Sequence, residues 1–183
     1  MTLATDFPQR IFLDSSSLQT MLNYGGFLYE DEDIGINDPI HKDSFGIAKL
    51  EALRKIMLIS ERAPFEFAIS RNSFKEVERA RDSSYLRWAY DVLDHWNACI
   101  EESGPPEPNA TGLEAIESGR IQYLGAGDRA LLVDALRFGC DTFLTMENKL
   151  PKNGLHLHKN LGIYVEAPIS VWERIKPWAT LFR

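Results

Sequence analysis

The chain has 183 residues and carries 20 Lys and Arg against 27 Asp and Glu, a formal charge of −7 at pH 7. That balance excludes a basic nucleic-acid coat, and 44% hydrophobic with 26% charged residues excludes disorder, collagen and coiled coil in favour of one globular domain over residues 1–183. Apolar runs such as Ile56 to Ile59 fall far short of the roughly 18 residues a membrane span needs, and MTLATDFPQR lacks an apolar signal core. A cytoplasmic protein without a membrane partner is therefore expected. Cys99 and Cys140 have no CxxC or Cys/His spacing near them and read as small core residues in a reducing compartment.

In chain order, RIFL (Arg10 to Leu13) is a short apolar run that stops at Asp14 and a serine cluster, the pattern of a buried strand entering a turn. Residues 23–42 are acidic and aperiodic, which predicts a loop, before Ile47, Leu50, Leu53 and Met57 set up a helical stripe. FEFAIS (65–70) reads as a second strand. A helical pattern then runs from Arg71 to Glu102, with room to project as an arm, and SGPPEPNATG (103–112) reads as a connector. GDRALLVDALRFG has Asp128 at its start and Gly139 where a C-terminal glycine cap belongs. DTFLT and IYVEAP supply two more strands and SVWERIKPW a last helix. Strands alternating with helices predict an α/β fold with a mainly parallel sheet covered on both faces.

In such a sheet the ligand site lies beyond the carboxyl ends of the strands. Asp14 directly follows RIFL, Glu147 comes just after FLT, Asp128 opens the helix before DTFLT, and Glu76 sits one turn past FEFAIS. Close carboxylates repel, and a hard divalent cation removes that conflict while keeping positions for water and a phosphate oxygen. The chemistry this suggests is phosphodiester hydrolysis.

These residues resemble the PIN-domain nucleases, named for the PilT N-terminus. The likeness lies in IFLDSSSL with Asp14, ISRNSFKEVERA with Glu76, GDRALLVDALRFGCDTFLTMENKL with Asp128 and Glu147, and LGIYVEAPISVWERI. It implies a three-layer α/β/α sandwich, Mg²⁺- or Mn²⁺-dependent endoribonuclease activity, and a role in RNA processing or as a toxin with an antitoxin-like partner. By that likeness Asp14, Glu76, Asp128 and Glu147 are the catalytic and metal-holding acids. Glu147 departs from the family's Thr-x-Asp, because this chain has Thr145, Met146 and Glu147, and Asp134 offers a substitute. Thr145, Ser16 and Ser17 supply hydroxyls to hold a carboxylate or a water.

Each acid also has a structural reading. Ser73 and Glu76 make a capping box, Asp128 can cap its helix, and Asp14 can form an Asx turn or a cap. His156 and His158 read as surface histidines, and the tryptophans Trp88, Trp96, Trp172 and Trp178 as core or interface, the latter making a homodimer plausible. Arg71, Lys75, Arg79, Arg81, Arg87 and Arg129 form the one basic cluster fit to meet an RNA substrate. Three alternatives to hydrolysis of single-stranded RNA are weighed and set lower. A catalytically inactive PIN-like interaction module is the first, and a phosphatase is the second, disfavoured because Asp14-Ser15-Ser16 replaces its DxD pattern. The third, a hydrolase triad, lacks a GxSxG elbow.

Overall fold

The computed structural model describes residues 7–74, 83–102 and 106–182. Among them, β1 (Arg10–Leu13), β2 (Glu66–Ala68), β3 (Thr142–Leu144) and β4 (Tyr164–Glu166) form one all-parallel sheet in the order β2-β1-β3-β4. Ile11 pairs with both Phe67 and Thr142, and Thr142 pairs in turn with Tyr164. Successive strand residues face opposite sides of the sheet. Ile11, Leu13, Phe67 and Leu144 therefore enter one core, while Phe12, Ala68, Phe143 and Val165 enter the other. The two central strands, β1 and β3, are buried on both faces, which is why IFL and FL are continuous apolar runs.

Helices cover both cores and complete an α/β/α sandwich. The first core is closed by α1 (Ser15–Asn23), α3 (Gly46–Ser60) and α8 (Pro168–Ile175), through Leu18, Leu53, Ile56 and Val171. The second is closed by α5 (Ala110–Glu117), α6 (Ala126–Arg137) and α7 (Gly154–Leu161), through Ala115, Leu132, Leu136 and Leu157. Phe12 and Phe143 stack at the centre of that second core with ring centroids 5.4 Å apart. α6 ends where the glycine cap is expected, since Gly139 has φ +63° and an added Cβ would stand 2.5 Å from the Glu107 carbonyl oxygen.

Several expectations change in detail. The acidic stretch 23–42 is not a featureless loop. It contains α2 (Gly25–Tyr29), pinned by buried Leu28, and a 3₁₀ turn, Pro39–Lys42, whose cap Asp38 accepts hydrogen bonds from the Ile40 N–H at 2.8 Å and the Tyr24 hydroxyl at 2.6 Å. Of the helical region named as an arm, 71–102, the described parts are a 3₁₀ turn, Arg71–Phe74, and the helix α4 (Ser83–Glu102). It lies beside β2 with Ala89 and Leu93 buried and Trp96 against Phe67, ring centroids 5.2 Å apart. The connector ends early because Asn109 caps α5, accepting from Gly112 N–H at 2.9 Å and donating to the Leu161 carbonyl at 2.8 Å.

Trp88, Trp96, Trp172 and Trp178 all pack, partly buried, on the first core. His156 is exposed, and His158 is half-buried with its ring stacked on Tyr164, centroids 3.9 Å apart. Cys140 is buried, and burial pushes its thiol pKa up, while Cys99 is half-buried. No helix among the described residues is long and apolar enough to cross a membrane.

Removing the stacked ring at the centre of the sheet, as Phe12→Ala, is expected to destabilise by about 3–5 kcal/mol through lost burial and a residual cavity. Leu155→Ala, at a position 86% exposed, is expected to change stability by less than about 0.5 kcal/mol. Urea unfolding of the two variants checks both.

Candidate metal and phosphodiester site

The strand order places the functional cleft. The chain leaves β1 for β2 on one side and returns to β3 on the other, so the carboxyl ends of β1 and β3 flank the point where the topology reverses. Loops diverge there and leave a crevice. Asp14 ends β1, Thr145 to Glu147 follow β3, and a cleft of about 300 Å³ opens between them. Its walls include Asp14, Ser16, Asn72, Asp128 and Glu147, with Ala126 and Gly127 from the first turn of α6.

Asp14 is only 5% exposed and caps α1. Its Oδ1 accepts from the Ser17 N–H at 2.8 Å, and its Oδ2 accepts from the Thr145 hydroxyl at 2.5 Å. The Ser16 hydroxyl straddles the two oxygens at 2.8 and 2.9 Å. An ionised carboxylate offers about four lone-pair sites. Three donors leave about one of them for a ligand in the cleft. Burial raises the Asp14 pKa above its ordinary 3.8, while the Thr145 hydroxyl and the Ser17 N–H oppose that rise. Burial is the larger effect. Burial thus disfavours the charged form despite the hydrogen bonds that it accepts.

Thr145 is fully buried and ties this aspartate to the loop after β3. Its hydroxyl, donating to Asp14, also accepts the Glu147 N–H at 3.1 Å, and the Met146 N–H donates to Ser16 Oγ at 3.0 Å. The Ser17 hydroxyl donates to the Leu144 carbonyl at 3.1 Å. Of the hydroxyls read as carboxylate holders, those of Thr145 and Ser16 do so, and that of Ser17 locks the sheet edge.

Asp128 stands in the first turn of α6 but is not its cap, because Gly125 holds that position. Its carboxylate borders the cleft instead. Asp134 does not substitute for Glu147. Six residues along a helix turn a side chain about 120° away from Asp128. Asp134 accordingly lies in a neighbouring recess, its Oδ2 accepting from the Ser70 hydroxyl and the Asn72 amide, both at 2.6 Å. Glu76 lies outside the described residues, as do Lys75, Arg79 and Arg81. Ser73, its supposed capping-box partner, is buried and donates to the Leu13 carbonyl at 3.2 Å.

Among the described residues no group of three or more His, Cys, Asp or Glu side chains is set to hold a metal ion. Asp14, Asp128 and Glu147 share the walls of one cleft without converging on a point. Arg129, expected beside the acids, turns its guanidinium to the carbonyls of Gln122 at 3.1 Å and Leu124 at 2.5 Å.

Lys49 is a residue that the helical stripe conceals. It is 2% exposed, and its ammonium donates to Asp43 Oδ2, the Met146 carbonyl and Asn148 Oδ1, each at 2.8 Å. These bonds hold Asp43 below its ordinary pKa and fix both flanks of Glu147 to α3. A buried ammonium with three acceptors is fully satisfied, and it positions the loop that carries the fourth acid. The available signal was a cation falling in the same i, i+3, i+4 register as Gly46, Leu50 and Leu53, the buried face of α3. The Ser70 and Asn72 contacts to Asp134 had a weaker signal, the polar run directly after β2.

No protein-family model matches the chain, and no curated protein and no solved structure matches it.

A raised carboxyl pKa has a definite sign in stability. The folded state holds the Asp14 proton more tightly than the unfolded state does, so its contribution is full below about pH 4 and is lost as pH climbs through the raised value. Relative to Asp14→Asn, the native protein without divalent cation should therefore lose stability as pH rises above about 4, the ordinary carboxyl value. Urea midpoints of both proteins across that range measure it, and a constant difference contradicts the burial of a charge-bearing Asp14.

Proposed function

We propose that the chain is a PIN-like, Mg²⁺- or Mn²⁺-dependent ribonuclease that hydrolyses phosphodiester bonds of single-stranded RNA. One observation carries the reading: three carboxylates, from the end of β1, the start of α6 and the loop after β3, line a single cleft at the sheet's topological switch point. The donor set is all oxygen, the chemistry that hard divalent cations prefer.

Asp14 would hold the metal through its remaining lone pair, with Thr145 and Ser16 fixing both of its oxygens. Asp128 and Glu147, which line the same cleft without converging on Asp14, would reach the metal through water. Glutamate carries one methylene more than the aspartate of the resembled family, and Lys49 holds the Met146 carbonyl and the Asn148 side chain on either side of it. When bound, the metal supplies a water of lowered pKa and neutralises charge that builds on the phosphate. The first turn of α6 presents Ala126 and Gly127 to the same cleft behind a glycine cap with no side-chain hydrogen bond, so its N–H groups favour a phosphate oxygen. An added Cβ at Gly127 meets nothing within 4 Å, which leaves the approach open. The negative net charge makes general affinity for RNA weak, so binding would depend on the metal and on local cations.

With a labelled single-stranded RNA in Mn²⁺, cleavage is expected in the native protein and is expected to vanish in Asp14→Asn and Asp128→Asn. Thr145→Val, which leaves the acids in place and removes the hydroxyl that orients Asp14, should lower the rate by roughly 10–100-fold. Cleavage that survives in Asp14→Asn overturns the assignment. RNA binding without cleavage in the native protein favours the inactive interaction module instead.

A further inference from the structure

A second cleft of about 430 Å³ adjoins the carboxylate cleft, and Asn72 borders both. It opens between the carboxyl end of β2, the middle of α4 and the last turn of α6. Ile69, Leu93 and Phe138 line it with apolar surface. Arg71 and Arg137, both exposed, line it from separate elements, and Asp94 and Asn97 line it one helical turn apart on α4. Asp134 lies here too, but its Oδ2 is engaged by Ser70 and Asn72, so it serves as a fixed part of the wall.

Arg71 and Arg137 bring two cations to a recess that adjoins the acids through Asn72 and also holds Asp94 and Asp134. Two cations, an aromatic and aliphatic wall, and amide and carboxylate groups at the rim form the combination that receives a nucleotide of an unpaired strand. We propose that this cleft binds the nucleotide flanking the scissile phosphate and prefers guanine there, an inference that rests on the ribonuclease reading above.

Arg71 and Arg137 take the phosphate on the far side of that nucleotide, and its base packs on Phe138 and Leu93. The base edge then meets Asp94 and Asn97. A carboxylate only accepts hydrogen bonds. Guanine alone among the four RNA bases offers two adjacent donors, N1–H and the 2-amino group, on its Watson–Crick edge, and its O6 accepts from the Asn97 amide. Uracil sets two carbonyl oxygens around a single N–H and meets Asp94 with repulsion. Asn72, held by Asp134, spaces this base from the carboxylates so that the neighbouring phosphate falls in the first cleft.

The test is fluorescence anisotropy in EDTA with labelled RNAs of about eight nucleotides, adenosine throughout except for one guanosine or one uridine. Native protein, Arg137→Gln and Asp94→Asn are compared, and cleavage of the same RNAs is followed separately in Mn²⁺. Both substitutions lie at exposed positions outside the cores, and unchanged melting temperatures confirm folding. The native protein should bind the guanosine RNA about tenfold tighter than the uridine RNA, the scale of one base contact. Arg137→Gln should weaken both by about tenfold, and Asp94→Asn should erase the preference. Equal affinity of native protein and Arg137→Gln, or no RNA binding at all, overturns the subsite. A guanosine preference that survives in Asp94→Asn overturns the base assignment. Affinities that shift as stated while no RNA is cut in Mn²⁺ support the subsite and remove the ribonuclease reading, so the two failures are distinct.

Discussion

A buried carboxylate held by hydroxyls joins the two central strands at their carboxyl ends, and the rest of the cleft is set by it. Asp14 accepts from Thr145 across the β1–β3 junction and from the Ser17 N–H at the start of α1. One side chain thereby caps a helix, clamps neighbouring strands and faces the crevice. The burial that makes the clamp specific also raises its pKa, and the hydrogen bonds from Thr145, Ser17 and Ser16 oppose that rise only in part. In this chain structure and candidate chemistry meet at one atom group.

The other walls are fixed by separate means. Lys49 reaches from α3 to the Met146 carbonyl and the Asn148 side chain, which brace the turn around Glu147. Asp128 owes its place to a helix that begins at Gly125 without a side-chain cap, so its carboxylate is left for the cleft. At the opposite end of the sheet, Arg10 binds Glu66 and the Phe138 carbonyl, while Asp141 accepts the Gln9 N–H at 2.6 Å. Those polar contacts close the amino ends of the strands. Crevice and closure thus occupy opposite sheet edges, as an open parallel sheet requires.

Much of this was legible in the chain because its signals are local. Four short apolar runs became four strands, and Gly139 became a C-terminal cap, since a positive φ selects glycine wherever the fold requires it. The acids at strand ends were legible by position alone, and Asp14, Asp128 and Glu147 do share a cleft. What escaped depends on distant partners. Lys49 falls in the register of the buried face of α3, but two of its three acceptors lie 97 and 99 positions away, so its satisfaction could not be read locally. The structure within 23–42 depends on Leu28 entering the core and on Tyr24 meeting Asp38, and composition shows neither. Asp134 was misplaced for a simpler reason, that helical phase rotates it out of the face that carries Asp128.

The central claim is that Asp14 is a metal-holding carboxylate as well as a cap, and calorimetric titration with Mn²⁺ tests it most directly. Native protein and Asp14→Asn are titrated side by side at neutral pH. Saturable heat in the native protein that disappears in the variant is the predicted result. No heat at millimolar Mn²⁺, or the same isotherm in both proteins, contradicts it and leaves Asp14 as the clamp of a sheet edge.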